Sequence, residues 1–486
     1  MAMGGSSERP AGQGTGEPLS RGVRRRVALA SLGCAKTLVD SENLLGALRE
    51  QGWEITTDAA EADALVVNTC AFVRPAVEES LETILKLAAH KRSGRCRALV
   101  VAGCLAQRYG AELLREMPEV DAVVGTGDLA RLPQILEECL RDSTQGGGAG
   151  FRAAAGAGCP QQIAAVGPPG GKVYDAGPGR RILTAAPYSA YLKIAEGCDH
   201  RCGFCIIPAL RGRLHSRPRG DVEAEARWLA EQGARELVII AQDPASYGAD
   251  LYGKPQIVPL LQRLAQLPGV EWVRVLYLYP GPQVDGIVDL MAREPRLVPY
   301  LDLPLQHSFG PLLASMRRPG DGRQYLQWLE RWRQQVPDLV VRSTFIVGLP
   351  GEDEAAFADL LDFLQEARLD KVGVFRYSAE EGSDAAALQR QVPEAVKEER
   401  YRRAMALQAQ VAAQVQQRWV GTVQPVLVEK VEEGRALGRT RGQAPEVDGV
   451  TSVVFEPGAL DVQPGQILPV RITAAGSYDL EGKAVL

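Results

Sequence analysis

Three short apolar runs each end at a cysteine: RVALASLG before Cys34, ALVVNT before Cys70 and ALVVAG before Cys104. Runs of this length, apolar throughout and sharply bounded, mark strands buried on both faces of a parallel sheet. Helix-like stretches separate them (SENLLGALREQ and PAVEESLETILKLAAHK), and a further short run, VDAVVG, follows. The alternation predicts a doubly wound α/β domain over 26–140. In such a sheet the loops leaving the carboxyl ends of the strands share one edge, where ligands bind. Three thiols on that edge would form one metal-binding set; three buried, hydrophobe-like cysteines are the alternative.

A second alternating region spans 186–392, with candidate strands AYLKIA, ELVIIA, WVRVLYL, PYLDLPL, VVRSTFIV and VGVFRYS. Between the last two, Phe357, Leu360, Leu361 and Leu364 keep the spacing of one buried helical face. Six strand–helix units predict a partial (β/α)6 barrel, short of the eight of a closed one. Directly after its first strand comes EGCDHRCGFCIIP, which spaces Cys198, Cys202 and Cys205 as C-x3-C-x2-C. Soft thiolates at this spacing suit a 4Fe-4S cluster whose fourth iron has no protein donor. A structural zinc site completed by His200 or His215 is the competing possibility. Cys96, Cys139 and Cys159 fit neither set and are expected to be bystanders.

Nothing in the sequence has the form of an export signal or a membrane span, which places the chain in the reducing cytoplasm and its thiols in metal or catalytic work rather than disulfides. Residues 1–25 are Gly/Ser/Pro-rich, close on an arginine cluster, and predict a disordered tail. The Gly/Ala/Pro-rich segment 141–185 predicts a linker. Segment 393–418 has a strongly helical composition, and 419–486 breaks into short β-rich runs, as in a small antiparallel barrel. That last segment carries six basic residues (430, 435, 439, 441, 471, 483) against nine acidic ones (429, 432, 433, 446, 448, 456, 461, 479, 481). A module that grips RNA needs the opposite balance. An acidic module suits a basic protein partner.

The cysteine loop on the first strand of a six-unit barrel resembles the radical S-adenosylmethionine (SAM) superfamily. Joined to a three-cysteine N-terminal domain and a TRAM-like C-terminal barrel, it resembles the radical SAM methylthiotransferases. The resemblance runs from about Arg26 to Leu486 outside the linker, and implies a Rossmann-like N-terminal methylthiotransferase domain. One branch of the family modifies an adenosine of tRNA. The other modifies an aspartate of the twelfth small-subunit ribosomal protein, and the motifs SLGCAKTLVDSE, KIAEGCDHRCGFCIIP, AQDPASYGADLYG, YLDLPLQH, FRYSAEEGSDAA, APEVDGV and YDLEG are similar to that branch. Ala35 and Thr37, Pro244-Ala245 and His215 depart from its usual pattern.

The resemblance implies two 4Fe-4S clusters and SAM. Cys198, Cys202 and Cys205 would hold the cluster that binds and reduces SAM; Cys34, Cys70 and Cys104 would hold an auxiliary cluster that carries the incoming sulfur. The β-carbon of an aspartate has no acidic hydrogen at neutral pH, so hydrogen-atom abstraction is the implied route, with both open irons facing one cavity. Phe204 would lie near the adenine. Gln242 and Gln306 end barrel strands, where barrel active sites form, and are candidates for the ribose or carboxylate of SAM. Gly348, in the turn of FIVGLPGE, would let backbone approach the cofactor. Arg211, Arg213, Arg217 and Arg219 follow the cysteine loop and are candidates for carboxylates, although most are expected in solvent. The implied partners are the basic ribosomal protein, free or within the ribosome, and a reductant such as flavodoxin or ferredoxin; neither a membrane nor tRNA is expected. A two-cluster electron carrier is the non-enzymatic alternative.

Overall fold

Two of the three apolar runs become strands buried at every position, Ala64–Thr69 and Ala98–Gly103. They form the centre of a six-stranded sheet in the computed structural model, which describes residues 25–145, 162–170, 177–456 and 461–485. With β1 (Arg26–Ser31), β2 (Glu54–Ile55), β3 (Ala64–Thr69), β4 (Ala98–Gly103), β5 (Ala122–Val124) and β6 (Ile163–Ala165), the order is β2-β1-β3-β4-β5-β6, all parallel. Val66 and Val100 point to one face, against Leu44 and Leu48 of α1 (Ala35–Glu50) and Leu132 and Leu136. Leu65, Val67, Leu99 and Val101 point to the other, against Ile84, Leu105 and Leu113. This is the doubly wound arrangement, and its order changes direction between β1 and β3, the place where such sheets bind ligands.

Two features differ from expectation. Strand β6 lies inside the segment expected to be a linker, and Thr184 at its far end hydrogen-bonds Glu42 of α1 through its backbone N–H at 2.7 Å. A three-residue edge strand set among Gly, Ala and Pro leaves no periodic signal. The first helix also begins at Ala35, six residues before the helix-like stretch in the sequence. Its first two turns bury Lys36, Thr37, Asp40, Ser41 and Glu42 together with Ala35 and Val39, so its apolar periodicity is broken by polar residues that are nonetheless inside. The residues expected to form a disordered tail lie, apart from Arg25, outside the described residues.

The middle of the chain gives β7 (Ser189–Lys193), a short ribbon of β8 (Ala195–Glu196) with β9 (His215–Ser216), then β10 (Glu236–Ile240), β11 (Trp272–Val275), β12 (Tyr300–Asp302), β13 (Val340–Val347) and β14 (Lys371–Arg376). Strands β7, β10 and β11 pair in parallel, as do β12, β13 and β14. A hydrogen bond from Leu278 N–H to the Asp302 carbonyl (2.9 Å) links the two sheets into one open wall of six strands. One side of the wall carries the largest core, including Leu237, Ile239, Val273, Leu301 and Phe345. The other is the lumen: Tyr191, Val238, Ile240, Trp272, Tyr300 and Val340 pack against Ala35 and Val39 of α1 and against Leu427 and Ala444. An incomplete barrel cannot fill its own interior, so its neighbours fill it.

The helix Glu394–Gln416 leads to β15 (Val423–Glu432), β16 (Arg435–Thr440), β17 (Thr451–Val454), β18 (Ile467–Ala475) and β19 (Leu480–Ala484), a closed barrel of order β15-β16-β17-β19-β18. Its pairings are antiparallel except β17–β19, which runs parallel. The module caps the end of the six-strand wall where the strands begin. Glu236, fully buried at the start of β10, binds Arg274 at 2.8 Å and Arg439 of β16 at 2.7 Å. Tyr300 donates its hydroxyl to Asp448 at 2.7 Å. Among the described residues no helix is long and apolar enough to cross a membrane.

Burial alone would raise the Glu236 carboxyl, but Arg439 and Arg274 hold it down at about 2, below its ordinary 4.5. Its contribution to stability is therefore complete above pH 4.5 and is lost as pH falls toward 2. Replacing it (Glu236→Gln) leaves two buried guanidinium groups short of an anion and should cost about 3–5 kcal/mol at pH 7. Urea unfolding across pH should show the gap between wild type and Glu236→Gln narrowing only below about pH 4.5.

Candidate functional site

Each cysteine of the N-terminal set stands one to three residues beyond a central strand of the first sheet. Cys34 follows β1 and precedes α1, Cys70 follows β3, and Cys104 opens the helix Cys104–Glu116 after β4. Gly33 makes their approach possible: it has φ +98°, and a Cβ there would stand 2.6 Å from the Cys70 Cβ, closer than real atoms approach. The three thiols are near enough to shift one another's ionisation. By residue surface Cys34 is the most open of the three although its thiol is crowded by neighbours, Cys70 is half-buried and Cys104 buried. Burial pushes the Cys104 thiol up to about 11. At Cys34 burial acts in the same direction, but Lys36 and Arg211 more than offset it and leave the thiol below its ordinary value.

Cys198, Cys202 and Cys205 share one loop beyond β8. The loop is fixed by backbone bonds from Cys198 N–H to the Gly212 carbonyl (3.1 Å) and from Gly203 N–H to the Met316 carbonyl (2.9 Å). Burial raises Cys198 to about 12 and Cys205 to about 11. Thiols held this high give up their protons only to a metal, so the donor chemistry fits soft-metal ligation rather than a free nucleophile. Among the described residues no three His, Cys, Asp or Glu side chains converge within reach of a single metal ion. Within each set the thiols act on one another through space. His200 is engaged elsewhere: its ring stacks on Tyr279 (3.5 Å between centroids) and bonds Asp243 at 2.8 Å. Cys96 hydrogen-bonds the Ala98 carbonyl and Cys139 packs in the core under the sheet. Cys159 lies outside the described residues.

The two sets are joined by Arg211, six residues beyond Cys205. Its guanidinium, 3% exposed, reaches the Cys104 sulfur at 3.2 Å, Asp40 of α1 at 2.7 Å and Glu196, two residues before Cys198, at 3.3 Å. Lys193, at the end of β7, closes the cluster by pairing with both Asp40 and Glu196. Burial would raise the Glu196 carboxyl, yet Lys193 and Arg211 hold it at about 2. A second fastening lies on the far side of the cysteine edge. Glu380, in the FRYSAEEGSDAA segment, accepts from Arg108 at 2.6 Å and from the Arg74 backbone at 3.1 Å. The cysteine-bearing edge is thus held against the end of the six-strand wall where the strands finish.

Of the four arginines after the loop, Arg211 and Arg217 are buried in ion pairs, Arg217 with Glu225, whereas Arg213 and Arg219 are at the surface. Gln242 donates its amide to Glu196, and among the described residues its buried carbonyl oxygen has no partner. Phe204, partly buried, packs against the small cluster of Leu312, Met316, Leu349, Tyr377 and Ala385. Gln306, half-buried, adopts φ +74° where the chain bridges to Phe345. Gly348 is required by another neighbour: a Cβ there would meet the Lys397 side chain at 2.3 Å. Its N–H is held by Glu352 at 2.8 Å.

The sequence did not single out Arg318. Only 7% exposed, it lies over Tyr279 (4.3 Å to the ring centroid), with a guanidinium nitrogen 3.8 Å from the Cys202 sulfur and, among the described residues, no partner for its Nε. An open cleft of about 720 Å³, lined among others by Tyr279, Arg317, Arg318, Asp285 and Trp328, adjoins it. Lys193 had a visible signal, a charge inside an apolar strand. Asp40 and Glu196 had none beyond their motifs, and Arg318 had none at all.

The chain matches three family models: Uncharacterized protein family UPF0004 over 26–125, Radical SAM superfamily over 192–364 and TRAM domain over 420–485. It is 46% identical over 464 residues to ribosomal protein uS12 methylthiotransferase RimO of Pelotomaculum thermopropionicum, covering 95% of this chain and 99% of that protein. The protein of the same name from Symbiobacterium thermophilum is 45% identical over 479 residues, covering 98% and 93%. Among solved structures, the radical S-adenosylmethionine methyltransferase TsrM from Kitasatospora setae aligns with a TM-score of 0.52 at 16% identity, covering 73% of this chain and 75% of that one, a likeness of fold.

Removing the cation that joins the two sets would leave Asp40, Glu196 and Lys193 unbalanced inside the protein. The substitution Arg211→Met is expected to lower stability by about 3–5 kcal/mol, whereas Arg213→Met, at the surface, should leave it close to that of the wild type. Urea unfolding of the two variants checks the difference.

Proposed function

The chain belongs to the RimO family of ribosomal protein uS12 methylthiotransferases, and on that premise we propose that it replaces a hydrogen on the β-carbon of a uS12 aspartate with a methylthio group. The observation that carries this reading is Arg211, whose contacts tie the loop of one cysteine set to a sulfur of the other. In this reading Cys198, Cys202 and Cys205 hold the 4Fe-4S cluster that binds SAM, and Cys34, Cys70 and Cys104 hold the auxiliary one. When bound, the two clusters and SAM supply the radical that removes the hydrogen atom and the sulfur that takes its place.

The residues of the chain position and exclude. Gln242, with a buried carbonyl oxygen free to accept, is suited to a ribose hydroxyl or the ammonium of SAM. Phe204, backed by the cluster that includes Leu312, Met316 and Leu349, offers the adenine an apolar face. Gln306 and the turn at Gly348 stand at the ends of β12 and β13 and complete the proposed SAM pocket. The fastenings at Arg211 and Glu380 keep the cysteine edge seated on the wall, so a substrate radical is shielded from solvent until sulfur reaches it.

The C-terminal barrel supports a protein rather than an RNA partner. Of its charged residues Arg439 is buried against Glu236 and Asp448 is buried against Tyr300, one of each sign, so the acidic excess of the composition is kept at the surface. An acidic surface suits a basic ribosomal protein. Turnover also needs a one-electron donor of the flavodoxin or ferredoxin kind, and the cytoplasm, where small subunits assemble, is the compartment that provides both.

Anaerobic incubation with SAM, a reductant and uS12, followed by peptide mass analysis, tests the reading. The expected product is uS12 with one methylthio group on an aspartate. Cys202→Ala should abolish both SAM cleavage and product. Cys70→Ala should abolish the product while 5′-deoxyadenosine still forms. An unmodified aspartate with both clusters loaded, or thiolation of tRNA in its place, would overturn it.

A further inference from the structure

Lys36 stands in the first turn of α1, two residues beyond Cys34, and is 8% exposed. Its ammonium lies 3.0 Å from the centroid of the Tyr277 ring. Tyr277 itself adopts φ +68°, held by a bond from its N–H to Asp302 at 2.9 Å. Among the described residues the ammonium has neither a hydrogen-bond acceptor nor a carboxylate at ion-pair distance. Burying a cation without an anion is costly, and such cations are normally paired.

The carboxylates close enough to act on Lys36 through space are Asp302 and Glu196. Both are committed elsewhere. Asp302 takes Arg342 at 3.1 Å and the Tyr277 N–H. Glu196 takes Lys193, Arg211 and Gln242. Asp40, four residues along α1, takes Lys193 and Arg211. The neighbouring carboxylates are thus paired, and the nearest other anion, the Cys34 thiolate, is the group assigned above to a cluster, so the ammonium is left without a carboxylate of its own two residues from Cys34.

We propose that Lys36 receives the side-chain carboxylate of the aspartate to be modified. This rests on the function proposed above and names the group that recognises its substrate. A carboxylate is bonded directly to the β-carbon, so a cation holding it fixes the reacting C–H with one intervening bond. The incoming charge also completes the pairing that the protein leaves open, so the site accepts aspartate and penalises asparagine, which brings no charge. Tyr277 holds the ammonium from behind without consuming it, because a ring face attracts a cation while leaving its N–H groups free to donate.

The test uses a peptide carrying the target aspartate, the same peptide with asparagine in its place, and the cluster-loaded enzyme as wild type, Lys36→Met and Lys36→Arg. The KM of the aspartate peptide in product formation and the Ki of the asparagine peptide as a competitor are measured, with iron content, absorption spectrum and the KM for SAM alongside. In Lys36→Met the KM of the aspartate peptide should rise on the order of tenfold to a hundredfold, as for loss of a charge-assisted hydrogen bond. The Ki of the asparagine peptide should stay put, so that the preference for aspartate collapses. Lys36→Arg should recover part of it. Equal weakening of both peptides, an unchanged preference, loss of iron, or a shift confined to the KM for SAM would each overturn the proposal; the last would assign Lys36 to the carboxylate of SAM. Failure of the wild-type enzyme to modify the aspartate peptide would instead count against the proposed function.

Discussion

A knot of four charges fastens the first domain to the second. Asp40 and Glu196 are the acids, Lys193 and Arg211 the bases, and all four are at least nine-tenths buried. Ions taken out of water at this depth are tolerable only when each has opposite charge and hydrogen bonds on several sides, and that requirement specifies the seating. A shift of α1 by one residue would separate Asp40 from both its partners. The knot also includes the Cys104 sulfur through Arg211, so the setting of the domains and the setting of the cysteines are the same event. A hydrophobic seam of equal size would hold the domains together but would tolerate sliding.

The motifs dispersed along the sequence turn out to be the residues of such seams. SLGCAKTLVDSE supplies Asp40 and Glu42, and KIAEGC supplies Lys193 and Glu196. YLDLPLQH supplies Tyr300 and APEVDGV supplies Asp448, which meet across the junction with the C-terminal barrel. FRYSAEEGSDAA supplies Glu380, the tie to Arg108. Motifs far apart in the chain are pairs in space. In this protein the positions that identify the family are in good part those that assemble three domains into one site.

What the sequence made legible was whatever depends on regular spacing. The longer strands of both sheets and the long helix before the last module could be read because apolar periodicity is a local property, and the two cysteine sets were proposed on thiol spacing, which is local too. The start of α1 could not, since Lys36, Asp40 and Glu42 look like a solvent face until Lys193, Arg211 and Arg181 arrive from more than a hundred residues away. Strand β6 was hidden by its brevity. Arg211 was visible only as one of four similar arginines; burial separates it from Arg213, and burial is not written in a side chain's identity. Gly348 was noticed for a good reason, a glycine at the end of a strand, but the neighbour that excludes a side chain there is Lys397.

The polar face of α1 has a bearing on how the protein is made. Synthesis runs from the N-terminus, and domains fold as they emerge, so β1 to β5 and α1 are made before the ribosome has delivered Lys193 or Arg211. During that interval the surface destined to meet the barrel is in water. Had it been a strip of leucines, the nascent domain would carry an adhesive patch inviting mispairing. Built of Lys36, Asp40 and Glu42, it is hydrated and harmless while it waits, and becomes adhesive only toward the one later surface that brings the matching ions.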